Sequence, residues 1–207
     1  MMRNIMPYLV IICLILGFSN TYGQQDWQLK KEQNNIKLWT KSLEGSKLLQ
    51  FKAETYIKAD LEVLYSVMRN VESMHKWYDK VKKVVLLKKN SDSEGIYLLE
   101  YGLPLPFENR VSTLKGSISF DKIKGLIKVN SDYHIFKIPE LYQDYPLISQ
   151  IKSSWEIESV TNGMVRIVHS GYMNPGGNIP LWVINESVTS APIKSLTNLK
   201  KLLKVNG

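Results

Sequence analysis

The chain has 207 residues, of which 44% are hydrophobic and 22% charged, with 12 Gly, 8 Pro and 1 Cys. That composition excludes a disordered or collagen-like chain, and one cysteine excludes an internal disulfide or a thiolate metal cluster. The formal charge of +8 invites nucleic-acid and membrane readings, which depend on where the charges lie.

The N-terminus has three parts. Arg3 is followed by an almost unbroken apolar run from Ile5 to Phe18, then by Ser19-Asn20-Thr21-Tyr22-Gly23 with small residues at Thr21 and Gly23. This is the pattern of a secretory signal peptide over residues 1–23, cleaved after Gly23. The run is shorter than the about 20 residues a span needs. Cys13 follows Val10-Ile11-Ile12 and has no small-residue box for lipidation. Cleavage removes Arg3 and Cys13 and leaves a net charge of +7 on residues 24–207. A cysteine-free exported domain fits a bacterial periplasm, or secretion, better than a disulfide-stapled scaffold does. The remaining chain reads as one domain, large enough to bury a core unaided and expected to act as a monomer.

Gln24 to Gln33 reads as a short polar helix anchored by Trp27. Alternation follows: Ile36, Leu38 and Thr40 oppose Lys37, Trp39 and Lys41, and Leu49, Phe51, Ala53, Thr55 and Ile57 oppose Gln50, Lys52, Glu54, Tyr56 and Lys58. Period two with one wet face predicts two antiparallel strands, joined by a turn at 42–46. Asp60 is a suitable N-cap for a helix carrying Leu61, Leu64, Tyr65, Met68 and Val71 at helical spacing. A second short helix covers Val71 to Trp77. Strands are then predicted at Val81–Leu87, Ile96–Leu103, Val111–Phe120, Leu126–Ile135, Ile151–Ile157 and Met164–Tyr172, with Phe136–Ser149 as a loop. Asn174-Pro175-Gly176-Gly177 ends the last strand. Pro180 opens a long helix reaching Lys204, with Trp182, Asn185, Val188, Thr189, Pro192, Leu196, Leu199 and Leu203 on one stripe.

Short connections make the sheet antiparallel, and the long amphipathic helix must bury its stripe on it. The class is α+β. A large curved sheet gripping one helix leaves space between the two.

Several segments together resemble the START (steroidogenic acute regulatory protein-related lipid-transfer) family, over about Asp26 to Leu203. They are Trp27 with Ile36-Lys37-Leu38-Trp39, Phe51-Lys52-Ala53, His75-Lys76-Trp77-Tyr78, and Pro104-Leu105-Pro106-Phe107 leading to Asn109-Arg110-Val111. Ser154-Trp155-Glu156-Ile157 follows, then the most specific piece, Pro175-Gly176-Gly177-Asn178-Ile179-Pro180-Leu181-Trp182-Val183-Ile184-Asn185. The resemblance implies a helix-grip fold, with a hydrophobic tunnel under the C-terminal helix that holds one lipid, and binding or transfer without catalysis. Family members commonly place Asp after the arginine of the proline-rich segment. Here Val111 stands there, so Arg110 lacks its usual neighbour.

The chemistry readings are sparse. His75, His134 and His169 are far apart, with no pair at ligand spacing on one element. There is no Gly-x-Ser-x-Gly elbow, and no thiol outside the signal peptide. Gly176-Gly177 reads as a turn before a helix and not as a phosphate loop. No metal, nucleotide or flavin site is spelled out, so no cofactor is expected. The lysines at 80, 82, 83, 88 and 89 either attract an anionic membrane, at about 1 kcal/mol each, or are an ordinary soluble face. Export argues against a nucleic-acid partner, and no recognition motif appears.

The candidate ligand-binding residues are Phe51, Met68, Tyr133, Trp155 and Tyr172 on apolar stripes, with Arg110, Trp182, Asn185 and Thr189. Arg166 and His169 complete the set on opposite parities of one strand, and either parity can face the cavity. Polar groups on a buried face need partners, either a lipid headgroup or another protein group. Two classes stand: a lipid binder or shuttle, and an enzyme in the same cavity, like the cyclases and hydrolases of related helix-grip folds. The first is favoured, because no element juxtaposes a catalytic pair. In the long helix, Trp182, Asn185 and Thr189 are expected to line the cavity, and Leu196, Leu199 and Leu203 to anchor it, with a kink at Pro192 between.

Overall fold

The computed structural model describes residues 26–205. The expected signal peptide lies outside them. Nine strands form one antiparallel sheet in the order β1-β2-β3-β9-β8-β7-β6-β5-β4. They are β1 Gln28–Gln33, β2 Ile36–Ser42, β3 Leu49–Lys58, β4 Val81–Lys89, β5 Glu94–Tyr101, β6 Arg110–Asp121, β7 Leu126–Tyr133, β8 Gln150–Ser159 and β9 Met164–Asn174. Helix α1, Leu61–Arg69, follows β3, and α2, Leu181–Val205, is the last described element.

The first element differs from expectation: the stretch read as a polar helix contains strand β1. All six of its residues are exposed, so it has no buried parity to reveal a period of two. Its pairing comes from β2 through a two-residue turn. Asn34 and Asn35 both take positive φ, 56° and 57°, which suits a tight hairpin because asparagine tolerates the left-handed region. The remaining strands and helices fall where the periodicity puts them.

Asp60 caps α1 as expected, its Oδ1 accepting from the Glu62 and Val63 amides at 2.7 and 3.2 Å. Asn70 ends that helix and starts a 3-10 turn over Val71–Lys76. Together these carry the chain from β3 in the middle of the sheet to β4 at its far edge.

The interior has distinct apolar clusters. One joins Ile36, Leu38 and Ala53 on β2 and β3, Ile157 and Ile167 on β8 and β9, Leu64 on α1, and Ile193, Leu196 and Leu199 on α2. A second gathers Val81, Val84, Leu99, Tyr101, Leu114, Ile148 and Ile151. A third, Ile179, Val183 and Ile184 with Leu48, Leu103 and Phe107, lies around the start of α2. The loop 134–149 folds over the back of β4–β6, where Tyr142 buries Leu98 and Val111.

Candidate functional site: a cavity under the C-terminal helix

The side chains of these clusters do not fill the space between sheet and α2. A cavity of about 180 Å³ remains, open to solvent on one side. Met68 and Trp155 from the first cluster, Leu99, Tyr101, Leu114 and Ile151 from the second, and Val183 and Ile184 from the third all reach its wall. The wall is mainly apolar, as ligand cavities generally are.

Its most ordered feature is an aromatic group around His169, which is 1% exposed. Trp155 stacks on the imidazole at 3.7 Å and 9°. Phe51 and Tyr78 meet it edge-on at 4.7 and 5.5 Å. Nε2 stands 3.1 Å from both the Tyr78 hydroxyl and the Ser153 Oγ, while Nδ1 is buried without a partner. Burial pushes the His169 pKa down to about 3. Burial pushes Tyr78 up to about 12, against the opposing hydrogen bond from Ser153. Both groups are therefore uncharged at neutral pH, and this part of the wall offers polar atoms without charge.

The register settles which parity faces inward. Val165, Ile167 and His169 are buried, and Arg166 lies on the outer face, bonded to Glu54 at 2.9 Å and near Glu158 at 3.7 Å. Among the expected residues, Phe51, Met68, Trp155, His169 and Tyr172 line the cavity. Tyr172 shares the outward parity of Arg166 and borders the cavity where β9 runs into Pro175. Tyr133 is half-buried against the second cluster and is not on the wall. Arg110 is buried behind the wall, under the turn before α2. One of its guanidinium nitrogens lies 3.2 Å from where a Cβ on Gly177 would stand, and its Nε has no partner.

The start of α2 is turned differently from expectation. Trp182 is 73% exposed. Thr189 donates to its own helix at the Glu186 carbonyl, 2.9 Å away, and Asn185 holds a buried Oδ1 without a partner. Val183, Ile184, Ser187, Val188, Ala191, Pro192 and Ser195 face the cavity instead. The expected stripe ran from Trp182 through Asn185, Val188, Thr189 and Pro192 to Leu196, Leu199 and Leu203. Pro192 lies inside one continuous helix, and the inward face before it is centred on Val183, Ile184 and Val188 and beyond it on Leu196 and Leu199. The true lining is about one residue, or ~100°, further round.

The sequence reading also left out Tyr78, Tyr97, Tyr101 and Ser153, which are on the wall. Ser153 shares the parity of Trp155 and was accessible to that argument. Both parities of β5 are apolar because loop 134–149 covers its back, which hid the inward set of Tyr97, Leu99 and Tyr101.

The halves of α2 are held by different forces. The C-terminal half carries polar ties: Ser195 Oγ accepts from the Asp79 amide at 2.9 Å, Asn198 donates to the Trp77 carbonyl at 3.3 Å, and Lys200 donates to the Asn34 carbonyl at 2.9 Å. Among the described residues, no hydrogen bond joins 181–192 to another element, and the Thr189 bond stays within the helix. Nor is any cluster of three or more His, Cys, Asp or Glu side chains placed to hold a metal ion among the described residues. No described helix is long and apolar enough to cross a membrane.

No protein-family model matches the chain. Individual proteins do. An uncharacterized protein of Pseudomonas aeruginosa is 24% identical over 202 residues, covering 96% of this chain and 97% of that one. The phosphatidylcholine transfer protein of Rattus norvegicus is 26% identical over 164 residues, covering 77% and 75%. The solved structure of a STAR-related lipid transfer protein from Xanthomonas axonopodis superimposes with a TM-score of 0.75 at 26% identity, covering 86% of this chain and 98% of that one. The chain has the helix-grip fold of the START lipid-transfer domains, and its sequence resembles theirs over most of the described length.

Proposed function

We propose that the protein binds one lipid or similar amphiphile in this cavity and carries it between membranes in an exported compartment, without catalysing a reaction. The observation that carries the reading is the cavity itself, a mainly apolar space closed on one side by a helix half that no polar tie fixes. Residues 181–191 are the lid. They lift about Pro192 and the Gly176-Gly177 turn, while the half beyond Pro192 stays docked.

The lid end is suited to a bilayer. Trp182 is 73% exposed, Leu105 on the neighbouring proline-rich loop 94%, and Leu181 37%. Phe107 of that loop packs with Ile179, Val183 and Ile184, so lid and loop form one apolar end. Aromatic and aliphatic side chains gain free energy in the membrane interface.

The Ser153–His169 pair invites the hydrolytic alternative. Its His169 lacks an orienting acceptor at Nδ1 and is a weak base with a pKa of about 3, which favours binding over general-base catalysis at neutral pH. The relatives named for lipid transfer favour it too. Export rests on the leader pattern of residues 1–23 and predicts a mature N-terminus at Gln24.

The deciding experiment is to purify the protein from its own host, extract it with organic solvent and identify the released molecule by mass spectrometry. One unmodified lipid per chain, transferred between vesicles by the protein, is expected. A purified protein that carries no lipid and moves none, or that converts the bound molecule, overturns the reading.

A further inference from the structure

Tyr78, Ser153 and His169 all line the cavity. Tyr78 Oη and Ser153 Oγ each stand 3.1 Å from His169 Nε2, and Ser153 hydrogen-bonds the Tyr78 oxygen. Among the described residues neither hydroxyl has a partner outside this group. The imidazole is 1% exposed, and its Nδ1 has no partner. The neutral group holds three polar hydrogens, two on hydroxyls and one on the ring.

These hydrogens cannot all be accepted inside the group. With the ring hydrogen on Nδ1, Tyr78 donates to Nε2 and Ser153 to Tyr78. The buried Nδ1–H then faces no acceptor. With the ring hydrogen on Nε2, that N–H goes to one hydroxyl oxygen and one further bond links the two hydroxyls. Nε2 has no lone pair left for the remaining hydroxyl hydrogen, which must point out of the group. This second arrangement leaves a bare lone pair at Nδ1 where the first leaves a bare N–H, the rarer kind of orphan in a protein interior. The hydrogen it frees can be met by a molecule in the cavity. Since Ser153 donates to Tyr78, the free hydrogen is that of Tyr78.

The surroundings select an uncharged acceptor for it. Phe51 and Trp155 enclose the imidazole. Burial here pushes His169 down and Tyr78 up, so the same spot opposes a positive and a negative charge. Asp79, the next residue, also lines the cavity and has a buried, unpartnered Oδ2, which would repel an anion. Arg69, Lys80 and Lys152 border the cavity as well, and none of them bonds to the group.

We infer that the cargo presents an uncharged acceptor oxygen, the carbonyl of a ketone or an acyl ester, to the Tyr78 hydroxyl, with its hydrocarbon along the apolar wall. The inference rests on the carrier reading and specifies its cargo. With a proton already on Nε2, His169 cannot take that of Ser153, so an ester held here is bound and not cleaved.

The test uses the purified protein and two probes of equal chain length, 2-undecanone and undecanoate. Calorimetry at neutral pH should give about ten-fold tighter binding of the ketone than of the carboxylate. The infrared carbonyl stretch of the isotope-labelled ketone should lie lower when bound than in an alkane solvent. Tyr78→Phe should return it to the alkane position. Nitrogen NMR of the ketone-bound protein should find the His169 proton on Nε2. Equal or tighter binding of undecanoate, an alkane-like stretch in the parent, or a lowered stretch that survives Tyr78→Phe overturns the inference and leaves the carrier reading standing. So does a His169 proton on Nδ1. No binding of either probe removes both. The infrared and NMR readings on the parent need no variant, so they decide the matter even if Tyr78→Phe does not fold.

Discussion

The two halves of α2 are continuous in sequence and opposite in how they are held. Beyond Pro192, Ile193, Leu196 and Leu199 are fully or nearly fully buried, and the side chains of Ser195, Thr197, Asn198 and Lys200 tie the helix to the body. Before it, Val183, Ile184 and Val188 face a space they do not fill. One helix thus serves as core element and cover at once, and the proline marks where the first role ends. The lesson is that helical continuity does not imply mechanical continuity. What fixes a segment is the packing and polar satisfaction of its buried face.

The sharpest way to break this contrast is Leu199→Ala. It should lower stability by about 2–5 kcal/mol through the cavity it leaves, measured by urea unfolding, with the dissociation constant for bound amphiphile within two-fold of the parent. An equal loss from Val183→Ala would erase the distinction between the halves.

Acid should act on the body beneath the cover. His169 has a folded pKa of about 3, below its unfolded value of about 6.5. The unfolded chain therefore binds more protons between these values, and stability is lost as pH falls through that window. From pH 7 to pH 5 the expected loss is about 2 kcal/mol, read by unfolding at the two pH values. His169→Gln should remove most of that slope, and an unchanged slope would refute the assignment.

Pro192→Ala should straighten the junction and restore the amide bond to the Val188 carbonyl. Transfer between vesicles should slow several-fold, with stability unchanged or raised by about 1 kcal/mol. Faster transfer would show that the proline does not mark the hinge.

The smallest change in stability belongs to Trp182→Ala. An exposed side chain outside the core should move stability by no more than about 0.5 kcal/mol. Vesicle association and transfer should nevertheless fall, measured by flotation and by fluorescent-lipid dequenching. Unaltered flotation would mean that this end does not meet the bilayer.

Most of the fold was legible because it obeys period two or 3.6. Ile36, Leu38 and Thr40 alternate with lysines and tryptophan, and Asp60 announces α1. β1 was illegible because an edge strand exposed on both parities has no pattern. The site was harder to read. Phe51, Trp155 and His169 stand on inward stripes, but such a stripe looks the same whether it packs on core or faces a cavity. Arg166 and His169 could be separated only by the register of β9 with β3 and β8. Trp182 and Thr189 went astray because the stripe was read about one residue off the inward face.

The pairing of β3 with β9 has a consequence for how the protein is made. Phe51 to Lys58 can find Met164 to Gly171 only after the strands between have been synthesised. Asn34 meets Lys200, 166 residues later in the chain. Non-local pairing of this kind delays folding, because a long loop must close before any contact compensates its entropy. Neither the sheet nor its covering helix can be completed before β9 and α2 have been synthesised. The helix that covers the cavity follows β9 in the chain, so the strands that wall the space are made before the element that closes it.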